Sequence, residues 1–220
     1  MTGAAMGDTP VSAIQRRVVL RPIRTPLPLG FLGLMVATAA FATVQLGWIA
    51  PDQGRFAAYA ALLVTAPVQM LASVLGFFTR DPVAGTGMGI LSGTWAAYAV
   101  ATLTSPPAAL SPGVGVLLIL AAAALLVPAA AALHKLVVAG VMALSALRFF
   151  LTGLAMTTGD HGWVTIAGWC GLLLAALSLY AAVALELEGA QRRQVLPLLR
   201  RGVGAEEVAA HEEPGVREEL

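Results

Sequence analysis

Charged residues are scarce in this sequence of 220 residues: Asp, Glu, Lys and Arg make up 11%, whereas hydrophobic residues make up 58%. Soluble domains typically contain about 25% charged residues, because a folded chain must cover itself with polar surface. The shortage argues against a soluble globular enzyme, a nucleic-acid-binding protein and a disordered chain. It indicates an integral membrane protein.

Cysteine and catalytic signatures are also nearly absent. The single cysteine, Cys170, lies in an apolar run, so it can form no intrachain disulfide and supports no cysteine-based metal site. The three histidines are scattered along the chain, and no metalloprotease, nucleophile-elbow or Walker-type motif is present. We therefore expect no enzymatic activity, no metal and no cofactor. Without an ATP-binding motif, any transport should be passive or coupled to an ion gradient.

What the sequence has instead is six continuous apolar runs, at about 29–50, 56–78, 84–103, 113–133, 136–158 and 163–185. At 1.5 Å per residue in a helix, each run is long enough to cross a hydrocarbon core of about 30 Å. A transmembrane barrel would instead show short segments of alternating polarity. The predicted fold class is an all-α integral membrane protein with six transmembrane helices.

The loop charges predict the orientation of these helices. If the amino terminus is inside, the inner side carries the arginines before residue 25, Arg80, Lys135 and the C-terminal arginines, whereas the outer loops carry only Arg55. The positive-inside rule then places both termini in the cytoplasm of a multi-pass plasma (inner) membrane protein. We divide the chain into a basic cytoplasmic segment (1–24), a six-helix transmembrane domain (25–187) and a charged cytoplasmic tail (188–220).

Arg148 is the residue that most clearly suggests a function, because it lies about midway along the fifth predicted span. A charge at that depth costs several kcal/mol and should face a cavity or a partner. No acidic residue lies at comparable depth in any span. A guanidinium can hold a carboxylate through two parallel hydrogen bonds, so an anion path is one interpretation. The other is an arginine bound to helix carbonyls at a helix or subunit interface.

Other polar and aromatic side chains within the spans can likewise be interpreted either as part of a transport path or as part of ordinary helix packing. Gln45, Gln69 and Ser92 are candidates for the substrate path, although Ser92 can bond to its own helix and Gln69 to a neighbouring helix. Trp95, Phe149 and Phe150 are candidates for a hydrophobic constriction, with ordinary packing as the alternative. Pro67 should kink the second helix.

The first span begins Thr25-Pro26-Leu27-Pro28-Leu29-Gly30-Phe31, which resembles the N-P-A-P-L-G-L signature of the acetate uptake transporter, or succinate–acetate permease, family. Other positions keep step with that family from about residue 25 to residue 197, namely Gly33, Thr38, Gly47, Gln69, Gly85, Gly93, Ala167-Gly168-Trp169, Tyr180 and Val195-Leu196-Pro197. The resemblance implies a homohexamer in which each subunit holds its own path. It also implies uptake of acetate or succinate, either coupled to protons or through an anion channel. We place Thr25, Pro28 and Leu29 of the signature on the substrate path.

The sequence also departs from the family pattern. Thr25 replaces the asparagine of the signature, and Gly89 and Ser92 replace two aromatic residues of the third helix. Arg148 has no counterpart in the family pattern. The chain therefore resembles a distant relative, in which fewer aromatics and an added arginine favour a larger or more charged anion.

The predicted function is a membrane channel or secondary transporter for small carboxylates such as acetate or succinate. Its partners would be the carboxylate anion, the lipid bilayer and further copies in a hexamer, with no nucleic acid. Proton coupling stays open, because no Asp, Glu or His lies deep in a span to relay a proton. Two alternatives remain: a channel for a neutral solute such as urea, an amide or ammonia, and a membrane assembly protein without transport activity.

Overall fold

The computed structural model describes residues 25–191 and 193–201. Apart from one isolated β-bridge, the regular structure in these ranges is helical. The helices are α1 (Leu27–Gln45), α2 (Pro51–Phe78), α3 (a π-helical turn at Val83–Gly87 followed by an α-helix at Met88–Thr104), α4 (Pro112–Ala131), α5 (Leu136–Thr158) and α6 (His161–Gln191). The predicted segment 1–24 lies outside the described residues, as do residue 192 and residues 202–220 of the predicted tail 188–220.

Five of these helices, α1, α2, α4, α5 and α6, are long and apolar enough to cross a membrane. The all-helical, multi-pass class predicted from the sequence is confirmed at this level. The α-helical part of α3 has 17 residues, which at 1.5 Å per residue extends about 25 Å. Its role as a sixth spanning helix stays a prediction.

Three helix ends differ from the sequence-based boundaries by five residues or more, among them the start of α2, which lies at Pro51 instead of residue 56. We predicted that the first span would continue to residue 50, but α1 ends at Gln45 because Gly47 adopts a left-handed conformation with φ of 71°. The Trp48 amide then bonds to the Thr43 carbonyl and closes the helix, as glycine commonly does at this position. Helix α6 continues past residue 185 to Gln191, because Glu, Leu, Ala and Gln continue to favour helix beyond the apolar run.

The helical geometry of α2 changes beside Pro67, while the predicted kink stays a prediction. Proline has no amide hydrogen and its ring collides with the preceding turn, so a regular α-helix cannot continue through it unchanged. In the structure, a π-helical turn at Ala61–Thr65 comes directly before the segment that contains Pro67. Such a turn is a recognised way to absorb this kind of interruption, and here it brings backbone groups of α2 close to α1 and α3.

Helix α5 lies at the centre of the bundle. In its most apolar stretch 67% of the residues are buried, against 39% for α4, which therefore lies at the periphery. Helix α4 packs along α5, α1 packs along α6, and α6 also contacts α5. Large apolar side chains fill the interior, among them Phe31, Leu34, Leu91, Met142 and Leu174. Many others point outward, as expected of helices that contact lipid.

The chain after α6 folds back against the turn between α4 and α5. Leu198 is fully buried, Tyr180 donates a hydrogen bond of 2.8 Å to the Pro197 carbonyl, and Lys135 forms the isolated bridge with Arg200. Arg200 also pairs with Glu188 of α6. These contacts attach residues 197–201 to the end of the bundle where α1 begins.

Candidate functional site

Arg148 lies in the interior of the bundle with 1% of its surface exposed. Its Nη1 donates a hydrogen bond of 2.8 Å to the Thr38 carbonyl, and its Nη2 donates one of 3.3 Å to Gln45 Oε1. Both partners are on α1, so the guanidinium links the central helix to the first helix. Gln45 Nε2 in turn donates to Thr152 Oγ1 at 3.4 Å, one turn further along α5.

The hydrogen-bond partners of Arg148 carry no charge. Within the described residues, no carboxylate pairs with Arg148. The five carboxylates in those residues all lie at turns or near helix ends, at Asp52, Asp81, Asp160, Glu186 and Glu188. Two neutral oxygens satisfy part of the five-donor guanidinium but do not neutralise it.

An aromatic cluster covers one face of this guanidinium. The Arg148 Cζ atom lies 5.5 Å from the centroid of the Trp95 ring, which is within the range of a cation–π contact. Trp95 stacks on Phe41 at 5.7 Å and meets Phe149 edge-to-face at 5.3 Å. Tyr98 completes the cluster, with its ring centroid 4.7 Å from that of Phe41.

Two buried polar atoms close to Arg148 have no hydrogen-bond partner among the described residues. They are Nε1 of Trp95, which can only donate, and the hydroxyl oxygen of Thr38. Leaving a buried donor without an acceptor costs about 1–3 kcal/mol, so such atoms are rare and call for an explanation. Trp95 Nε1 requires an acceptor, and the Thr38 hydroxyl can donate to one.

Helix α6 approaches the guanidinium closely at Gly171. A methyl group added at this glycine would lie 2.6 Å from Arg148 Nη1 and 3.1 Å from the Ala42 side chain. A larger residue at this position would therefore require the guanidinium to move. The amino-acid sequence alone does not indicate that Gly171 contacts an arginine.

Gln69 and Ser92, two further predicted path residues, lie in a second buried polar cluster. Gln69 Nε2 donates to the Gly30 carbonyl at 3.4 Å, while its Oε1 has no partner among the described residues. Ser92 Oγ donates to the Ala66 carbonyl at 2.7 Å, on α2 rather than on its own helix. Thr65 Oγ1 donates to the Gly33 carbonyl at 2.8 Å. This cluster joins α1, α2 and α3 through backbone carbonyls.

The remaining predicted residues lie apart from both clusters. Thr25 Oγ1 donates to Asp81 Oδ2 at 2.8 Å, at the start of α1, and Pro28 is buried nearby. Leu29 is 37% exposed and Phe150 is 42% exposed, so both lie on the outer surface of this chain. Among the predicted path and constriction residues, the structure therefore brings Gln45, Trp95, Arg148 and Phe149 together.

Phe41 and Gly171 contact this cluster but were missed by the sequence analysis. The signal for Phe41 was available, because Thr38, Phe41 and Gln45 follow a spacing of three and four residues and so share one face of α1. No such signal existed for Gly171, because its role depends on how α6 crosses α5.

A cavity of about 220 Å³ opens where the turns α2–α3 and α4–α5 meet the start of α1. Its walls are formed by Leu27, Arg80, Asp81, Pro82, Val83, Ala132, His134, Lys135 and Val138. The cavity lies at the opposite end of α5 from Thr158. Val138 and Arg148 are ten residues apart on that helix, so about 15 Å separates them along its axis.

No known protein-family profile matches the sequence, and no curated protein does either. Among solved structures, the chain is similar to the bacterial acetate channel SatP. The superposition has a TM-score of 0.71, covers 80% of this chain and 98% of the channel, and pairs residues that are 22% identical. The chain thus shares the fold of that channel, which supports the family resemblance seen in the sequence at the level of the fold.

Proposed function

We propose that this protein is a membrane channel or secondary transporter for small carboxylate anions of the acetate and succinate class. The observation that carries the proposal is the buried charge of Arg148. A guanidinium in the interior of an apolar bundle is costly unless an anion or a strongly polar cavity compensates it. The described residues supply two neutral oxygens and no carboxylate, so a transported anion fits the remaining requirement.

The groups around Arg148 also match the chemistry of a carboxylate. A carboxylate accepts hydrogen bonds at two oxygens, and the guanidinium presents its donors in a fixed plane. Trp95 Nε1 and the Thr38 hydroxyl add neutral donors without a partner of their own. The surrounding rings exclude water, which strengthens a charged hydrogen bond inside the bundle.

The likeness to an acetate channel supports this proposal independently, since it concerns the course of the backbone rather than one side chain. We further propose six membrane-spanning helices, with α3 as the sixth. The hexameric ring is proposed from the family resemblance of the sequence alone. We place both termini in the cytoplasm on the basis of the loop charges. Any proton would travel on the acid itself, because Asp, Glu and His are absent from the centres of the described helices.

The test is solute flux into proteoliposomes containing the wild-type chain, Arg148→Leu or the matched control Arg55→Leu. Arg55 is exposed, so its substitution removes one arginine without disturbing the interior. We expect uptake of labelled acetate and succinate by the wild type and the control, and a reduction of about tenfold or more in Arg148→Leu. Equal flux in all three at equal incorporation contradicts the role of Arg148.

The same liposomes separate the alternatives. Uptake of labelled urea or methylammonium without carboxylate uptake would identify a channel for neutral solutes or ammonia. Absence of flux for every solute, in a correctly oriented and assembled protein, would favour a membrane assembly protein. A buried cation opposes the passage of ammonium, so uptake of methylammonium is not expected.

A further inference from the structure

The cavity between the two turns has a basic rim. Arg80 lies at the turn from α2 to α3, and His134 and Lys135 lie at the turn from α4 to α5. The inner wall is apolar and formed by residues such as Leu27 and Val138. A small concave site with an apolar wall and a few convergent polar groups is the usual form of a ligand pocket.

The one carboxylate in the wall, Asp81, already accepts two hydrogen bonds from neighbouring groups of the protein. Its Oδ2 accepts the hydrogen bond from Thr25 Oγ1 at 2.8 Å, and its Oδ1 accepts one from the Ala84 amide at 3.0 Å. Asp81 therefore closes the turn and caps the start of α3, as short polar side chains often do. Its two oxygens are directed to these donors and not to the basic side chains of the rim.

Arg80 is held at the rim by an unfavourable backbone conformation. Its φ is 56°, in the left-handed region that non-glycine residues seldom adopt. The Arg80 amide bonds to the Phe77 carbonyl and the Asp81 amide to the Gly76 carbonyl, which fixes the turn in this shape. Glycine or asparagine would fit this backbone more easily, so a long cation at this position is consistent with a role for its charge.

We propose that this cavity binds a carboxylate group and forms the mouth of the anion path. The inference rests on the proposed function, since it assigns a second site to the same class of solute about 15 Å along α5 from Arg148. The two cations of the rim outnumber the single negative charge of Asp81, so the mouth favours anions, and its volume accommodates a small mono- or dicarboxylate.

The carboxylate can come from either of two sources. One is a small organic anion from solution. The other is the chain itself, because residues 202–220 contain Glu206, Glu207, Glu212, Glu213, Glu218 and Glu219. The described chain leads into that tail beside the cavity, where the Arg201 amide donates to the His134 carbonyl at 3.0 Å. The binding chemistry is the same for both sources.

The test measures binding rather than flux, by saturation-transfer NMR of acetate and succinate with the full chain in nanodiscs. We expect the double variant Arg80→Gln/Lys135→Gln to weaken binding about tenfold, as expected for the loss of charge-assisted contacts. The matched control Arg55→Gln should bind as the wild type does. The charge-preserving variant Arg80→Lys/Lys135→Arg should retain binding, which separates loss of charge from loss of folding.

A third variant, with the six tail glutamates changed to glutamine, identifies the source of the carboxylate. Tighter acetate binding in that variant means that the tail occupies the cavity, whereas unchanged binding means that the cavity is open to free anions. Either result supports a carboxylate site, provided that the double variant weakens acetate binding as expected. Unchanged acetate binding in the double variant, with and without the glutamate changes, overturns the proposal.

Arg148→Leu distinguishes this inference from the proposed function. Both proposals stand if Arg148→Leu loses carboxylate flux but keeps the acetate-binding NMR signal, and if the double variant loses that signal. If Arg148→Leu removes all binding and the double variant removes none, the mouth is refuted and the transport function is retained. If the wild type binds acetate at the cavity but moves no carboxylate, the cavity site stands and the transport function is refuted.

Discussion

Arg148 and Gln69 are both fully buried polar side chains in the same bundle, yet the structure meets their requirements to different degrees. Gln69 donates to the Gly30 carbonyl and leaves one neutral oxygen without a partner. Arg148 donates to a carbonyl and an amide oxygen and leaves a whole positive charge without a counter-ion among the described residues. Gln69 links α1 to α2, whereas Arg148 links α1 to α5.

The difference shows which buried polar groups helix packing alone can satisfy. Neighbouring carbonyls can accept hydrogen bonds from the NH2 group of a neutral amide, and interhelical hydrogen bonds of this kind contribute about 0.6 kcal/mol on average in a membrane protein. A guanidinium needs compensation for its charge as well as for its donors. We therefore assign Gln69 to helix association and Arg148 to the solute, and the following substitutions test that division.

The largest expected effect comes from exchanging each side chain for leucine. Arg148→Leu should reduce carboxylate flux about tenfold or more while leaving the chain folded, because a buried charge is replaced by an apolar group. Gln69→Leu should keep flux within about twofold and change the unfolding temperature instead. Carboxylate flux and Tm, measured on the same preparations, test the expectations for both variants. A Gln69→Leu variant that loses flux at wild-type Tm would contradict the division.

The next effect is expected at Gly171, which lets α6 approach Arg148. In Gly171→Ala the new methyl group would lie 2.6 Å from Nη1, so the guanidinium must move and flux should fall several-fold, about as much as one lost charged hydrogen bond. Gly140→Ala on α5 is the matched control, because its methyl group would make an ordinary contact of 3.5 Å with Leu177. Equal flux in the two variants would show that the position of the guanidinium is unimportant.

A smaller effect is expected from Trp95→Phe, which keeps an aromatic ring over Arg148 and removes the unpartnered Nε1 donor. If that donor binds the anion, flux should fall by about fivefold, the value of one neutral hydrogen bond of about 1 kcal/mol. Tm should stay level or rise, because a buried donor without an acceptor is removed. Trp48→Phe is the control, since Trp48 is 59% exposed. Unchanged flux with a raised Tm would assign Trp95 to packing alone.

The sequence predicted the class of the fold and singled out Arg148 as a candidate site residue, because both depend on local composition. Apolar run length sets the positions of the spanning helices, and a lone arginine in such a run stands out without knowledge of its neighbours. The end of α1 was misjudged because the left-handed conformation of Gly47 outweighed the apolar run that continues to residue 50. Periodicity on one helix does not specify contacts between helices, which is why the contact of Gly171 with Arg148 was missed.

The smallest expected effect concerns Thr152, which belongs to the Arg148 cluster only through Gln45. Its hydroxyl accepts a hydrogen bond of 3.4 Å from Gln45 Nε2, and that amide in turn accepts from Arg148. Thr152→Val removes this long contact at nearly constant volume, so we expect flux to change by about twofold at most. Gln45→Leu should have a larger effect, because it also removes an oxygen that binds the guanidinium directly. If Thr152→Val proves as harmful as Gln45→Leu, then the orientation of the Gln45 amide, rather than its direct contact with Arg148, controls how the guanidinium presents its donors.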